Sequence, residues 1–214
     1  PFIGSFLHSL EVERGNTART RNQRLAAIHS FYNYLAFLEP AYSALIQRVL
    51  SIPSKRQDRA LVSFLAQPEV EALLAAPDLT RWSGRRDHSI LLLSVQTGLR
   101  AAELTGLNCQ DIHLSAGAHV NCRGKGRKER CTPLTEKTVK VLRAWLRERI
   151  GEATEPLWPK MRRGRLSVDG FEYIVKKHLK LASTQCPSLL TKKVSPHVLR
   201  HTTAMNLLQA GVDR

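Results

Sequence analysis

Long apolar runs are missing from this 214-residue sequence, and no stretch has the roughly 20 apolar residues that a membrane-spanning helix needs. No predicted helix combines a basic face with a strongly apolar one, so an anionic membrane surface is a weak candidate partner. Cysteine is scarce: there are four, no two of them form a C-x-x-C pair, and no signal peptide is visible. We therefore expect reduced thiols, a cytoplasmic protein and no membrane partner.

Metal-binding and nucleotide-binding motifs are also absent. His197 and His201 have the spacing of a zinc-binding helix, but Val198 stands where an H-E-x-x-H motif has glutamate. Gly124-Lys125-Gly126 lacks the G-x-x-x-x-G-K-[ST] spacing of a P-loop. The sequence therefore predicts no bound metal and no cofactor.

Negative charge is in short supply. Asp and Glu total 18 against 33 Lys and Arg, which gives a formal net charge of +15. Neutralising phosphates and releasing their counterions is a favourable use of such an excess, so we expect nucleic acid as the partner. The length allows one large domain or two small ones. The first residue is Pro1 rather than methionine, which is typical of a trimmed chain.

Residues 1–50 are predicted to form a helical domain of two or three helices. Apolar residues recur at helical spacing over 17–38, with Asn16 as the candidate N-cap and Glu39-Pro40 as the end. We interpret the aromatic residues of this stretch as core packing; they are Phe31, Tyr32, Tyr34 and Phe37. Three arginines could contact a DNA backbone or form a solvated basic face: Arg19, Arg21 and Arg24.

Proline, serine and charge interrupt the helical pattern over 51–59, which predicts an interdomain linker before a second domain over 60–214. This domain is predicted to have a short helix from Gln67 and a buried central helix over 82–97. Good N-caps predict further helices after Thr135, Ser167 and Ser195. Strand-like pieces occur at 112–114, 118–122 and 129–134. The predicted fold class is mainly α with a small antiparallel β-sheet.

Arg100 follows a tight break that Gly98 permits. Glu103 lies three residues further along the next helical turn. The two form either an ordinary surface ion pair, worth at most about 1 kcal/mol, or a buried carboxylate that orients a guanidinium towards a phosphate. Their position between two apolar elements favours the second interpretation.

Two basic loops follow. Residues 124–128 predict a hairpin tip, which is either a solvated turn or a basic finger that reaches into a DNA groove and delivers Lys125 to a phosphodiester. Arg127 and Lys128 lie on the same tip. The loop that contains Arg162 and Arg163 is either phosphate-contacting or simply hydrated.

The final predicted helix starts at Ser195, with Pro196 in the first helical position. His197, Arg200 and His201 share one face near its start, where free N–H groups and the helix dipole attract anions. Two arginines far apart in sequence, a lysine and a histidine suit phosphoryl transfer on a nucleic-acid backbone without a metal ion.

Three blocks, in this order, resemble the motifs of the tyrosine recombinase (phage integrase and Xer-like) family. They are Thr97-Gly98-Leu99-Arg100 with Glu103, the hairpin 124–130 with Pro133-Leu134, and the stretch 195–201. Residues 16–38 are similar to later helices of the family's amino-terminal core-binding domain. The resemblance implies a tyrosine-recombinase catalytic domain preceded by part of a core-binding domain.

The same resemblance implies roles for individual residues. Arg100 and Arg200 would clamp the scissile phosphate, and Lys125 would be the general acid for the leaving 5′ oxygen. His197 would be the proton-transfer partner of the nucleophile. The supporting residues would be Glu103 and His201.

The resemblance also implies an activity. In the family, a tyrosine attacks the phosphate and forms a 3′-phosphotyrosyl link, which stores the bond energy for rejoining. Four protomers hold two duplexes and exchange strands through a Holliday junction. We therefore expect a site-specific recombinase or integrase of a mobile element or chromosome, acting as a homotetramer on specific sites in double-stranded DNA at a prokaryotic nucleoid.

The expected nucleophile is not found after the third block. Four tyrosines precede that block: Tyr32, Tyr34, Tyr42 and Tyr173. Tyr173 falls in a helical pattern, where we expect it to pack. We therefore expect a chain that lacks its nucleophile segment and binds DNA without cleaving it; a tyrosine supplied in trans is the alternative. A DNA-binding accessory protein of the same fold and a type IB topoisomerase are the competing assignments.

Overall fold

The structure is a computed structural model that describes residues 2–57, 63–124, 129–149, 151–161 and 164–211. These residues are mostly helical and include one three-stranded antiparallel sheet, which confirms the predicted fold class. The chain divides into two compact units, residues 1–61 and 62–214. Among the described residues, none of the helices has both the length and the hydropathy required to span a bilayer.

The first unit contains helices α1 (Phe2–Val12), α2 (Ala18–Leu38) and α3 (Ser43–Leu50). Helix α2 starts one residue later than predicted, because the side chain of Thr17, not of Asn16, accepts a hydrogen bond from the Thr20 N–H at 3.3 Å. The small core of this unit includes Leu7, Leu10 and Leu25.

The aromatic residues of α2 do not form the predicted core. Phe31, Tyr34 and Phe37 are exposed, Phe37 to 86%, and Tyr32 is only half-buried. Within this unit α2 is 21 residues long but packs on two shorter helices, so the outer face of its carboxyl-terminal half is left uncovered. The prediction was wrong because helical periodicity does not state how many neighbours a helix has.

Arg21 also differs from its predicted role. It is buried, and its Nη1 donates to the Pro53 carbonyl at 2.9 Å, while Asn22 Nδ2 donates to the Lys55 carbonyl at 2.7 Å. Arg21 is therefore engaged in holding residues 53–55 against α2, and we withdraw it as a DNA contact. Arg19 and Arg24, on the same helix, are exposed.

The second unit is built around α5 (Trp82–Thr97), whose residues 89–94 are all buried. This confirms the predicted central helix. The other helices of the unit are α4 (Gln67–Ala75), α6 (Ala101–Gly106), α7 (Glu136–Arg149), α8 (Val168–Ala182) and α9 (Pro196–Gln209). Ser167 and Ser195 cap α8 and α9 as predicted, and Thr135 accepts a hydrogen bond from the Thr138 N–H in the first turn of α7.

The sheet has the order β1 (Ile112–His113), β2 (His119–Arg123) and β3 (Glu129–Pro133), with both pairings antiparallel. Cys122 pairs with Arg130, and Arg123 pairs with Glu129. The segment 124–128 therefore connects two strand ends that face each other. Of this predicted basic tip, residues 125–128 lie outside the described residues.

Asp87 is a buried charge that joins α5 to α8. Its carboxylate accepts hydrogen bonds from Arg86 Nη2 at 2.7 Å and from His178 Nε2 at 2.9 Å. Burial by itself raises the pKa of a carboxyl, but the hydrogen bonds from His178 and Arg86 outweigh this effect and hold the pKa of Asp87 below its ordinary value. Asp87 is therefore ionised in the folded protein.

Replacing Asp87 with asparagine keeps the shape of the side chain and removes its charge, which leaves the buried Arg86 without its carboxylate partner. We expect the free energy of unfolding at pH 7 to fall by about 3–5 kcal/mol, the usual effect of breaking a buried ion pair. Urea unfolding followed by tryptophan fluorescence measures this change, since Trp82, Trp145 and Trp158 all lie in the second unit.

The effect has a defined dependence on pH. Because the pKa of Asp87 is lowered from the roughly 3.9 of an unfolded chain, its stabilisation is complete above that value and is lost as the pH falls through the folded-state pKa. The difference between wild type and Asp87→Asn should therefore shrink in acid. Glu172→Gln, which removes a carboxylate from an exposed i,i+4 pair with Lys176, is the control and should change little. Equal stability of Asp87→Asn and wild type at pH 7 would contradict the prediction.

Candidate active site

The site begins where α5 ends. Gly98 has φ +59° and ψ 27°, a left-handed conformation that breaks the helix after Thr97. Arg100 then takes an extended conformation as the N-cap residue of α6, and its backbone N–H donates to Glu103 Oε2 at 2.8 Å. This local geometry fixes Arg100 at the start of α6.

Glu103 is the shared partner of two arginines. Its side chain is 8% exposed; Oε1 accepts from Arg100 Nη1 at 3.0 Å, and Oε2 accepts from Arg130 Nη2 at 2.6 Å. Burial raises the pKa of this carboxyl, but the hydrogen bonds from Arg100 and the charges of Arg130 and Arg100 lower it further, so the pKa lies below its ordinary value. Glu103 is therefore a charged carboxylate with both oxygens occupied.

Arg200 reaches the same place from α9. Its guanidinium is half-buried, and Nη1 donates to the Gly98 carbonyl at 2.5 Å. The pKa of Arg200 is lowered by burial first and then by the positive charges of Arg100 and Arg130, with Glu103 acting in the opposite direction. We call Arg100, Arg130, Arg200 and Glu103 the arginine cluster; it has three positive charges and one negative charge.

Helix α9 is attached to the core by two threonines that follow Arg200. Thr203 Oγ1 donates to the Val95 carbonyl of α5 at 2.6 Å, and Thr202 Oγ1 accepts from the Leu65 N–H at 2.9 Å. Both threonines are buried. Because these bonds fix α9 next to the end of α5, Arg200 is presented to Gly98 with little freedom.

The two histidines of α9 lie on the exposed side of the helix start. His197 and His201 are both exposed, and among the described residues neither has a hydrogen bond or ion pair. They stand three residues before and one residue after Arg200, so all three lie on one side of α9. The imidazoles are accessible to a bound partner.

Several predicted site residues lie outside the described residues, and the structure places none of them. They are Lys125, Arg127 and Lys128 of the hairpin tip, and Arg162 and Arg163 of the second basic loop.

Tyr173 does not pack as predicted. It lies on α8 between the buried residues Phe171 and Ile174 but is itself 68% exposed. Tyr34 and Tyr42, in the first unit, are also exposed. In the part of the second unit that the structure describes, Tyr173 has no hydrogen bond or ion pair with the arginine cluster.

Arg130 is the member of the arginine cluster that sequence reasoning missed. Arg130 lies in the second motif block, but the family resemblance implies no role for it. The signal that identifies it is tertiary: β3 runs antiparallel to β2, and this places Arg130 opposite Cys122 and within reach of Glu103.

Arginine forks gathered from separate elements can bind the non-bridging oxygens of a phosphate and stabilise added negative charge. The described residues contain no group of three or more His, Cys, Asp or Glu side chains placed to hold a metal ion. What the fixed guanidinium groups of this arrangement can do chemically is bind the oxygens of a phosphate.

The same fold occurs in solved recombinase structures. The structure of the XerH site-specific recombinase bound to difH substrate, a pre-cleavage complex, matches 99% of this chain and 60% of its own with a TM-score of 0.71 and 20% identity. The fold is therefore that of site-specific recombinases.

Residues 63–214 match the model of the phage integrase family. The protein belongs to this family of tyrosine recombinases, which confirms the assignment from the three motif blocks.

Two relatives are similar over nearly the whole chain. A Sinorhizobium fredii protein provisionally named integrase/recombinase y4rC is 56% identical over 214 residues, which are 100% of this chain and 64% of that protein. Tyrosine recombinase XerC of Myxococcus xanthus is 36% identical over 221 residues, which cover 99% of this chain and 69% of that protein. The chain therefore spans less than two thirds of the length of y4rC.

Gly98→Ala tests how the end of α5 supports the arginine cluster. Alanine at φ +59° costs about 1–2 kcal/mol, and its Cβ would lie 3.2 Å from the Thr203 Cβ. We expect a loss of stability of at least this size in thermal unfolding. Gly106→Ala at the end of α6 is the matched control, because its Cβ would meet nothing within 4 Å. Equal stability of the two variants would show that the left-handed turn is not required.

Proposed function

We propose that this chain is the DNA-binding and phosphate-holding part of a site-specific recombinase or integrase that cleaves and rejoins DNA through a 3′-phosphotyrosyl intermediate. The observation that carries the proposal is the arginine cluster: Arg200, 100 residues from Arg100 in sequence, donates to the Gly98 carbonyl at 2.5 Å, and the charge of Arg100 helps to lower the pKa of Arg200. Membership of the phage integrase family supports the same activity.

The electrostatics of the arginine cluster favour a bound anion. Glu103 neutralises one of three positive charges, and the lowered pKa of Arg200 reflects burial and the repulsion that remains. A phosphodiester would relieve this repulsion, and the extra charge that develops in the transition state would relieve it further. Two arginine forks from different helices can hold both non-bridging oxygens and leave the line of attack open.

The other roles belong to groups that move protons. Lys125 would protonate the leaving 5′ oxygen, and His197 would exchange a proton with the nucleophile. His197 is exposed on the face of α9 that carries Arg200, which suits this role. His201, one residue beyond Arg200, would support the site from the same face.

The tyrosine that attacks the phosphate would come from outside residues 1–214. Among the described residues, Tyr173 of the second unit has no hydrogen bond or ion pair with the arginine cluster, and Tyr32, Tyr34 and Tyr42 belong to the other unit. We therefore propose that the polypeptide 1–214 binds duplex DNA but does not form a covalent link to it.

The partner would be double-stranded DNA with specific recombination sites, bound by four copies of the protein at the nucleoid. The formal charge of +15 supports a polyanionic partner. Backbone contacts would come from the exposed arginines of α2 and from the two basic loops, with these residues: Arg19, Arg24, Arg127, Lys128, Arg162 and Arg163. We also propose that the units 1–61 and 62–214 correspond to the core-binding and catalytic domains.

A covalent-adduct assay tests the proposed source of the nucleophile. The polypeptide 1–214 is incubated with a nicked duplex that traps 3′-phosphotyrosyl products, and the products are separated under denaturing conditions. We expect salt-sensitive binding and no adduct. An adduct that persists in wild type and disappears in Tyr173→Phe would identify Tyr173 as the nucleophile and contradict the proposal.

Arg200→Ala tests the phosphate clamp in the complete gene product that contains residues 1–214. Because binding is spread over many phosphates while cleavage depends on this fork, we expect cleavage to be abolished and duplex affinity to fall only modestly. The slope of log affinity against log salt should decrease by about 1. Arg147→Ala, which removes an exposed arginine of α7, is the control for charge. Normal cleavage by Arg200→Ala would remove Arg200 from the site.

A further inference from the structure

Arg130 connects the sheet to α6. Its Nη2 lies 2.6 Å from Glu103 Oε2, and its cross-strand neighbour in β2 is Cys122. Glu103 is nearly buried, whereas the Arg130 side chain is 40% exposed. The guanidinium therefore turns inward, towards the carboxylate and the strand beside it.

Arg130 lies in β3 close to the strand end that leads into the connection 124–128. Arg130 pairs with Cys122 across the sheet, and the next pair, Arg123 with Glu129, is the last before the connection 124–128. Lys125 belongs to this connection, two residues beyond Arg123 in sequence. The Arg130–Glu103 ion pair thus attaches the facing ends of β2 and β3 to α6, whose N-cap residue is Arg100.

The ion pair differs from an ordinary surface pair in two respects. An exposed pair gains little, because solvent screens it and both side chains lose conformational freedom. Here one partner is already fixed: Glu103 is held by the N–H and the guanidinium of Arg100. The charge of Arg130 also helps to keep the pKa of Glu103 low. Arg130 therefore binds a carboxylate that Arg100, the proposed phosphate-holding residue, already holds in place.

We propose that Arg130 is a positioning residue that acts through Glu103: it holds the facing ends of β2 and β3, which lead into the connection that contains Lys125, against α6. This inference rests on the proposed function, in which Lys125 is the general acid. The tyrosine hydroxyl gives its proton to His197 and its oxygen forms a bond to phosphorus. The bond from phosphorus to the 5′ oxygen breaks, and the leaving oxygen takes a proton from the Lys125 ammonium. Arg130 touches neither reacting atom in this scheme.

A substrate whose leaving group needs no proton distinguishes this positioning role from a general structural role. If the bridging 5′ oxygen is replaced by sulfur, the thiolate leaves unprotonated, so the general acid is not needed. A variant that only misplaces the acid recovers on the sulfur substrate. A variant whose fold or phosphate clamp is damaged remains slow on both substrates.

The test measures single-turnover cleavage by the complete gene product on the oxygen and sulfur substrates. The variants are Lys125→Ala, Arg130→Gln and Arg130→Lys, with Arg147→Ala as the arginine control. We expect Lys125→Ala to slow oxygen-substrate cleavage by about 100-fold or more and Arg130→Gln by about 10-fold or more, with both recovering on sulfur. Arg130→Lys should retain part of the rate because it keeps the charge, and Arg147→Ala should match wild type.

The outcomes separate the two proposals. A normal rate for Arg130→Gln on the oxygen substrate, or a slow rate on both substrates while Lys125→Ala recovers, overturns the role of Arg130 alone. Failure of Lys125→Ala to recover overturns the acid role of Lys125 in the proposed function.

Hydrogen exchange tests the attachment without any cleavage. In the polypeptide 1–214, Arg130→Gln and Glu103→Gln should both accelerate amide exchange in β2 and β3, while Arg147→Ala should not. Both substitutions break the Arg130–Glu103 ion pair, whereas Glu103→Gln also removes the carboxylate partner of Arg100, so the agreement is expected in β2 and β3 and not in α6. Unchanged exchange in β2 and β3 of Arg130→Gln overturns the inference whatever the activity of the gene product.

Discussion

The arrangement of the candidate site depends on one nearly buried carboxylate. Guanidinium groups repel one another. The three of the arginine cluster, at the N-cap of α6, in β3 and in α9, need a negative charge beside them to lie close together. Glu103 supplies it, with one oxygen for Arg100 and the other shared between the Arg100 backbone and Arg130. The neutralisation is incomplete: the pKa of Arg200 is lowered by burial and then by the charges of Arg100 and Arg130, with Glu103 acting in the opposite direction. The arginine cluster therefore keeps a net positive charge, which is the property that suits the proposed binding of a phosphate.

The hydrophobic core fixes the positions of the elements that carry the arginine cluster. Helix α5 is buried over residues 89–94 and ends at Thr97. The left-handed conformation of Gly98 then directs the chain into Arg100, and its carbonyl accepts a hydrogen bond from Arg200. Thr203 binds the last turn of α5 from the other side. Side chains that must hold a ligand in one geometry are best placed on elements that packing already fixes.

The first unit shows the limits of pattern-based inference. From its sequence pattern, Arg21 is predicted to be one of several basic residues on an exposed helix face. In the structure its guanidinium donates to the Pro53 carbonyl and helps to hold residues 53–55 against α2. Phe37 is predicted to pack in the core because it is an aromatic residue in a helical pattern. It is exposed, because no other element of its unit covers it. Charge and hydropathy identify what a side chain can do, but burial depends on which neighbours reach it.

The sequence alone determined the helices of the second unit, the strands, the N-caps at Ser167 and Ser195, and the family, because capping, periodicity and motif spacing act over a few neighbouring residues. Only the tertiary structure decided that Arg130 joins Arg100 at Glu103 and that Arg200 reaches Gly98. Those contacts span 27 and 102 residues, and they depend on strand register and helix packing. No local rule encodes which distant charges will share a carboxylate, since that choice follows from how the whole core closes.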